Sequence, residues 1–305
     1  MTDPWRKLVA AGHVREGVDL AGLTTYKLGG PAAYFVEANE VSTLAATAEA
    51  LAAAPLPLLV LGRGSNLVIA DEGFFGVVIR LGRPFSSIEV GTLVRAGGAA
   101  GMPQVARAAT AVARRGVEFM IGIPGTVGGG VRQNAGCFGR EMVDVLESAE
   151  IFDLALGEQI SVGPPDLDMA YRQTNVGASQ IVLSARFRTE AGDGEAGSAL
   201  IREITRWRRA HQPGGTLNAG SVFKNPPGDS AGRIIDSLGL KGTAVGGASV
   251  SVKHANFFVA MPGTKAIDVY LLVEKVRSTV RARTGIELEP EIQFAGRFEP
   301  GESAG

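Results

Sequence analysis

Apolar positions recur with two periods along the chain, and each period marks an element type. Ala32 to Ala38 (AAYFVEA) and the β-branched runs PLLVLG and GVVIRL read as strands, whereas VSTLAATAEALAAA, beginning near Ser42, reads as an alanine-rich helix. A second helix is predicted over Met102 to Arg115, with Val105, Ala108, Ala109 and Val112 on one face and Gly116 as its stop. The strands ESAEIFDL and QIVLSARFRTE follow. Further on, ALIREITRWRRAH is helical, GRIIDSLGLKG gives a short helix and HANFFVAM a strand. Thr264 to Arg283 forms a long amphipathic helix: Val269, Leu272, Val273, Val276 and Val280 make the stripe to be buried. Arg281 and Arg283 suit its C-terminal dipole, and Gly285 ends it.

These elements mix strands and helices without regular alternation, so the fold class is α+β. The clearest boundary is Thr189 to Gly197 (TEAGDGEAG), which is small, acidic and glycine-rich with nothing apolar to bury. No internal repeat is visible.

Composition narrows the function classes. At 305 residues, of which 45% are hydrophobic, the chain can bury a full core and hold two or three domains of roughly 100 to 200 residues each. A formal net charge of -1 leaves no global basic field for nucleic acid or an anionic membrane, so a charged ligand must be held locally. The N-terminal residues lack an apolar leader core, and the most apolar run is broken by Pro55 and Pro57; a cytoplasmic protein is expected. Cys137 is the only cysteine, and His13, His211 and His254 are scattered, so neither a disulfide nor a metal site is expected.

Glycine is the composition's anomaly, at 42 residues, and much of the excess falls in two segments. In LVLGRGSNL, residues Gly62, Arg63, Gly64, Ser65 and Asn66 follow a strand, but Leu67 stands where a Rossmann fingerprint has its third glycine and no helix follows. A P-loop is excluded because no Gly-Lys-Ser/Thr follows. Taken alone, this loop reads better as an ordinary strand-to-strand turn than as a ligand site. The second segment, GIPGTVGGGVRQNAG, carries six glycines between Gly122 and Gly136, more backbone freedom than a connection needs. Bare backbone of this kind admits close approach of a ligand, and exposed N–H groups can form an anion nest.

Five motifs occur in order: LGRGSNLVIADEGFFGVVIRL, GIPGTVGGGVRQNAGCFGRE, YRQT, NAGSVFKNP and LEPEIQ. Together they resemble the UDP-N-acetylenolpyruvoylglucosamine reductase family, flavoproteins of peptidoglycan precursor synthesis, from about Thr24 to Arg297. The resemblance implies an FAD-binding domain of the vanillyl-alcohol-oxidase type in two subdomains, residues 1–85 and 86–191, followed by a smaller α+β substrate-binding domain, residues 198–305. It implies that Gly62, Arg63, Gly64, Ser65 and Asn66 wrap the FAD pyrophosphate. Ile123, Pro124, Gly125, Thr126, Gly129, Gln133, Asn134 and Gly136 would then lie along the flavin and its ribityl chain. Neither loop contains histidine, so FAD is expected to be bound non-covalently, with NADPH as reductant and UDP-N-acetylglucosamine enolpyruvate as substrate. A monomer is expected, with no nucleic-acid or membrane partner.

The implied reaction needs a group to hold the carboxylate, one to stabilise the developing enolate and a proton donor. By resemblance these are Arg172 in AYRQT, Glu291 in LEPEIQ and Ser221 in NAGSVFKNP. Alternation would place Glu287, Glu289 and Glu291 on one strand face, so spacing alone does not choose among the three. Tyr171, Lys224 and Asn225 are the implied substrate contacts. Cys137 reads as a small buried residue without a cationic neighbour, and His254 as a packing or hydrogen-bonding residue. The chain departs from some family members in two places. Only TEAGDGEAG stands where they carry a tyrosine-bearing insertion, as in a shorter type, and Gln293 stands where they carry arginine, a contact that Lys224, Arg206, Arg208 or Arg209 could replace. The alternatives are another flavin oxidoreductase or oxidase of the same fold and a non-catalytic nucleotide-binding protein.

Overall fold

The structure, a computed structural model, describes residues 3–298. It divides into two compact units that are interleaved in sequence. The first comprises residues 3–16, Tyr34–Gly62 and Gly76–Arg208; the second comprises Gly17–Ala33, Arg63–Phe75 and residues 209–298.

The first unit is organised on a five-stranded antiparallel sheet in the order Glu158–Val162, Leu146–Asp153, Gln180–Arg188, Leu93–Gly97, Ile88–Val90. The strand Gln180–Arg188 buries residues on both faces, Ile181, Val182 and Leu183 in succession, while Arg186 and Arg188 are exposed. Val182, Ala185 and Phe187 join one core with the helix Met102–Ala111, whose Met102, Val105, Ala106 and Ala109 are buried. Ile181 and Leu183 join another with Phe152, Val36, Val77, Ile79 and the helix Val41–Ala53. Leu58–Val60 pairs in parallel with the strand Phe74–Leu81, in register Leu59 to Val78. Trp5 stacks on Tyr34 at 5.3 Å, and its indole N–H donates to the Ala54 carbonyl at 3.0 Å.

In the second unit a small antiparallel sheet, Ala244–Val245, Ala248–Val250 and Phe258–Ala260, shares a core with the helices Ala231–Ser237 and Ala266–Thr284. All five residues of the stripe read from sequence on the long helix are fully buried. Gly285 caps it in the left-handed conformation, φ 74°. Its N-terminus is held from a distant segment, the Asp71 carboxylate accepting from the N–H groups of Ala266 (2.7 Å) and Ile267 (3.1 Å). Gln293–Ala295 runs parallel to Leu67–Ile69, directly after the first glycine loop.

The helix at Met102 ends at Ala111 and does not reach Arg115. Ala113 adopts φ 54°, and Arg114–Arg115 pair instead with Glu190–Ala191. The face read from sequence therefore loses its last member, and Val112 is exposed. The same pairing gives structure to the segment read as a bare linker: the Arg114 guanidinium donates to the Thr189 carbonyl at 2.8 Å, and the helix Gly194–His211 already starts within it. That helix belongs to the first unit as far as Arg208, and residues 1–85 contribute to both units, so the contiguous divisions at 85/86 and 191/198 do not coincide with the compact bodies.

Candidate functional site

In the first unit the second glycine segment is tied to the strand-to-helix junction at Gly98–Met102: Gly128 N–H donates to the Gly98 carbonyl (2.9 Å), Val127 to Ala100 (2.8 Å) and Met102 to Gly125 (3.1 Å). Residues Val127–Arg132 form a short helix that composition alone conceals, since three of its six residues are glycine. Thr126 caps it, its hydroxyl accepting from Gly129 N–H at 3.3 Å. A side chain at Gly130 would meet Met102 and Met142 sulfur and methyl atoms at 2.6 Å, which explains that glycine by packing. Gly62 belongs to the same unit, and a Cβ there would fall 2.8 Å from Thr126 Oγ1, so the start of the first glycine loop lies against the second. Ile123 and Gln133 flank the helix, both half-buried; Pro124 and Gly129 are exposed, while Gly125 and Thr126 are buried.

The end of this segment forms a hydrogen-bonded cluster. Asn134 is fully buried at φ 41°; its amide nitrogen donates to Glu141 Oε2 (2.9 Å) and the Ala170 carbonyl (2.9 Å), and its oxygen accepts from Val143 N–H (3.0 Å). The side chain of Asn134 is thereby held by partners within the protein. Glu141 Oε1 accepts from Arg172 Nη1 at 3.1 Å, and the Gly136 carbonyl from Arg172 Nη2 at 3.2 Å. A Cβ on Gly136 would lie 2.7 Å from both the Arg140 carbonyl oxygen and Glu141 Cγ, so the facing backbone of the pair favours glycine there. Arg172 occupies φ 55° in a two-residue turn closed by reciprocal Ala170 and Gln173 bonds of 3.0 Å, and its guanidinium lies 4.8 Å from the centre of the exposed Tyr171 ring.

In the second unit Arg63 is exposed, Gly64 is buried, and Ser65 and Asn66 are half-buried. Gly64 has φ 59°, with Thr24 Cα only 2.7 Å from where a Cβ would stand, and its carbonyl accepts from Thr25 Oγ1 at 3.1 Å. The Asn66 amide donates to the Glu291 carbonyl at 3.0 Å, and the Asn66 carbonyl accepts from Gln293 N–H at 3.0 Å. The first glycine loop is thus joined to the LEPEIQ motif.

The strip Ser221–Lys224 is strapped on both sides. Asn256, buried, donates to the Phe223 carbonyl (2.8 Å) and accepts from Phe223 N–H (2.9 Å). On the other side Glu291 N–H donates to the Val222 carbonyl at 2.7 Å and Lys224 N–H to Glu289 at 2.9 Å. The three glutamates that spacing left equal are now separated. Glu287 and Glu289 are exposed and ion-paired, the first with Arg277 and Arg281, the second with Lys224 at 2.6 Å. Glu291 is half-buried on the segment next to Ser221, which is itself half-buried. Asn225 Oδ1 accepts from Ala231 N–H at 3.1 Å at the start of a helix.

Two other candidates resolve. Burial pushes the Cys137 thiol up even though the Arg208 and Arg172 guanidiniums pull it down, so a cationic neighbourhood exists where sequence showed none, and desolvation outweighs it. His254 packs edge-on against Phe257 at 4.9 Å and its Nδ1 accepts from Asn256 N–H at 3.2 Å; burial holds its pKa below the usual value. The residues missed from sequence are Glu141, Asn256 and Asp71. Glu141 closes a recognised motif, and its acidity amid glycines was the signal available.

Neither glycine segment contains an acidic residue that would repel a phosphate, a composition compatible with the pyrophosphate of FAD. Comparison with known proteins agrees. Residues 32–163 match the FAD binding domain, and residues 212–295 match the C-terminal domain of UDP-N-acetylenolpyruvoylglucosamine reductase. UDP-N-acetylenolpyruvoylglucosamine reductase 2 of Symbiobacterium thermophilum is 42% identical over 287 residues, 93% of each chain. The reductase of Geotalea uraniireducens is 40% identical over 302 residues, 97% of this chain and 99% of that one. The crystal structure of the reductase from Thermus caldophilus superposes with a TM-score of 0.81 at 35% identity, covering 93% of this chain and 100% of the other. The chain belongs to the UDP-N-acetylenolpyruvoylglucosamine reductase family.

Proposed function

We propose that this protein reduces UDP-N-acetylglucosamine enolpyruvate to UDP-N-acetylmuramate with NADPH, in the cytoplasm and as a monomer, supplying peptidoglycan precursor for growth, cell shape and division. The observation that carries this reading is the coincidence of family membership over nearly the whole chain with a retained Arg172, Ser221 and Glu291, the last two on hydrogen-bonded neighbouring segments. The two glycine segments would hold FAD, which when bound would supply the hydride chemistry that links NADPH to the enolpyruvyl double bond.

The protein's own part is positioning and proton transfer. The planar fork of Arg172 binds the substrate carboxylate, whose charge grows as the adjacent carbon becomes carbanionic. Ser221 donates its hydroxyl proton to that carbon. Serine is a weak acid, but a carbanion alpha to a carboxylate is a far stronger base, so the transfer runs downhill, and solvent returns the proton to the alkoxide. Glu291 assists the enolate by hydrogen bonding or as an acid. Asn225 and Lys224 serve the diphosphate. The Lys224 ammonium donates to Glu289 at 2.6 Å and, with three N–H donors, has capacity for a phosphate oxygen as well. Incubation of the purified protein with FAD, NADPH and the enolpyruvyl nucleotide tests the reading: mass spectrometry finds the nucleotide heavier by two hydrogens. NADPH consumption with the nucleotide unchanged contradicts it.

A further inference from the structure

We propose that Glu141 is a positioning residue that sets the Arg172 guanidinium for its carboxylate, an inference that rests on Arg172 being the residue that binds it. Three observations carry it. The Glu141 carboxylate is divided between two partners, Oε2 on the fully buried Asn134 amide at 2.9 Å and Oε1 on Arg172 Nη1 at 3.1 Å. Asn134 is itself fixed at its oxygen and its other N–H, so Glu141 links a buried anchor to the Arg172 guanidinium. The Gly136 carbonyl fixes Nη2 at 3.2 Å; Gly136 faces Glu141 in the register of a two-residue antiparallel pair, so both contacts to Arg172 come from one rung.

The backbone points the same way. Arg172 holds a left-handed conformation, φ 55°, which is unfavourable for a non-glycine residue. Strain of this kind persists where surrounding structure over-determines it, and it concentrates at functional positions. An arginine has five N–H donors in one plane, so fixing Nη1 and Nη2 fixes the plane and hence the direction from which a carboxylate is met. A misplacement of about 1 Å in such a clamp can cost on the order of 100-fold in rate.

The test is Glu141→Gln, which keeps an acceptor for Asn134 and removes the charge that orients Arg172, studied by anaerobic stopped-flow beside Arg172→Ala and the double variant. Reduction of the bound flavin by NADPH proceeds at the wild-type rate in E141Q, while its reoxidation by the enolpyruvyl nucleotide slows by about 10- to 100-fold. In the R172A background E141Q adds no further loss, because Glu141 acts only through the arginine. Calorimetric titration with the lactyl nucleotide, which requires no turnover, shows weaker binding in E141Q and no difference between R172A and the double variant. A wild-type reoxidation rate in E141Q, a loss that multiplies with that of R172A, or tighter nucleotide binding in E141Q overturns the proposal; the last would mean that Glu141 only tempers the arginine's charge. An R172A variant that reoxidises normally overturns the underlying reading of Arg172 instead. Should E141Q purify without flavin, Glu141→Asp gives the same comparison with the charge retained and the carboxylate withdrawn by one methylene, and the same outcomes decide.

Discussion

Replacing Gly64 by alanine adds one methyl group at the point where the first glycine loop turns. At φ 59° an L-residue incurs a left-handed penalty of about 1–2 kcal/mol. The new Cβ would lie 2.7 Å from Thr24 Cα and 2.9 Å from the Leu23 carbonyl oxygen, well inside carbon contact distance, and both neighbours are backbone. Relieving such a clash costs typically about 1–3 kcal/mol, against a gain of about 0.4–1 kcal/mol from a stiffer unfolded chain. The net loss is about 1–5 kcal/mol, which lowers a melting midpoint by about 2–18 °C for a body of this size. Gly139 supplies the control: it sits at φ 72° with nothing within 4 Å, so Gly139→Ala incurs the backbone penalty alone and loses about 1 kcal/mol or less. Scanning calorimetry on apo and FAD-loaded protein measures both, and FAD retained on purification reports the loop itself. Equal midpoints for the two variants would refute the steric argument, and full FAD content in G64A with an unshifted midpoint would refute the loop's role.

The remaining predictions concern individual side chains. Tyr26 is fully buried with its hydroxyl donating to the Phe258 carbonyl at 2.9 Å, so Tyr26→Phe costs about 1 kcal/mol in urea unfolding; an unchanged midpoint would mean the bond contributes nothing net. His254 has a folded pKa depressed by burial, with Lys241 and His211 adding to it, so the folded state favours the neutral imidazole while the unfolded chain protonates near 6.5. Its stability contribution is therefore present above about pH 6.5 and lost as pH falls, at no more than about 1.4 kcal/mol per pH unit. The midpoint difference between wild type and His254→Gln should accordingly change between pH 7.5 and 5.5, and a constant difference would show no linkage. Ser221→Ala leaves reduction by NADPH unchanged and slows reoxidation by substrate about 100- to 10,000-fold; equal slowing of both would mean Ser221 is not the proton donor.

Elements with a strong period were legible in the sequence because tertiary packing reinforces them. The stripe from Val269 to Val280 is buried residue for residue, and Gly285 ends that helix as read. The helix at Met102 was overextended because Ala113 and Arg114 have no local signal against helix; what stops it is pairing with Glu190–Ala191, about 75 residues away along the chain. Interleaved units are invisible to composition, since Gly17–Ala33 and Arg63–Phe75 join residues 209–298 through contacts that no linker announces. For the proposed site, motif resemblance pointed to Arg172, Ser221 and Glu291, but spacing could not separate Glu291 from Glu287 and Glu289. Exposure does so: Glu287 and Glu289 are exposed, whereas Glu291 is half-buried. Glu141 escaped notice because its role depends on a turn 30 residues later, at Ala170–Gln173.

Anaerobic spectroscopy of the purified protein tests the central claim most directly. The protein is yellow, NADPH bleaches its flavin absorbance, and addition of UDP-N-acetylglucosamine enolpyruvate in the absence of oxygen restores the oxidised spectrum with one equivalent of nucleotide. A bleached flavin that the nucleotide leaves unchanged and that air reoxidises at once would contradict the account and identify an oxidase on the same fold.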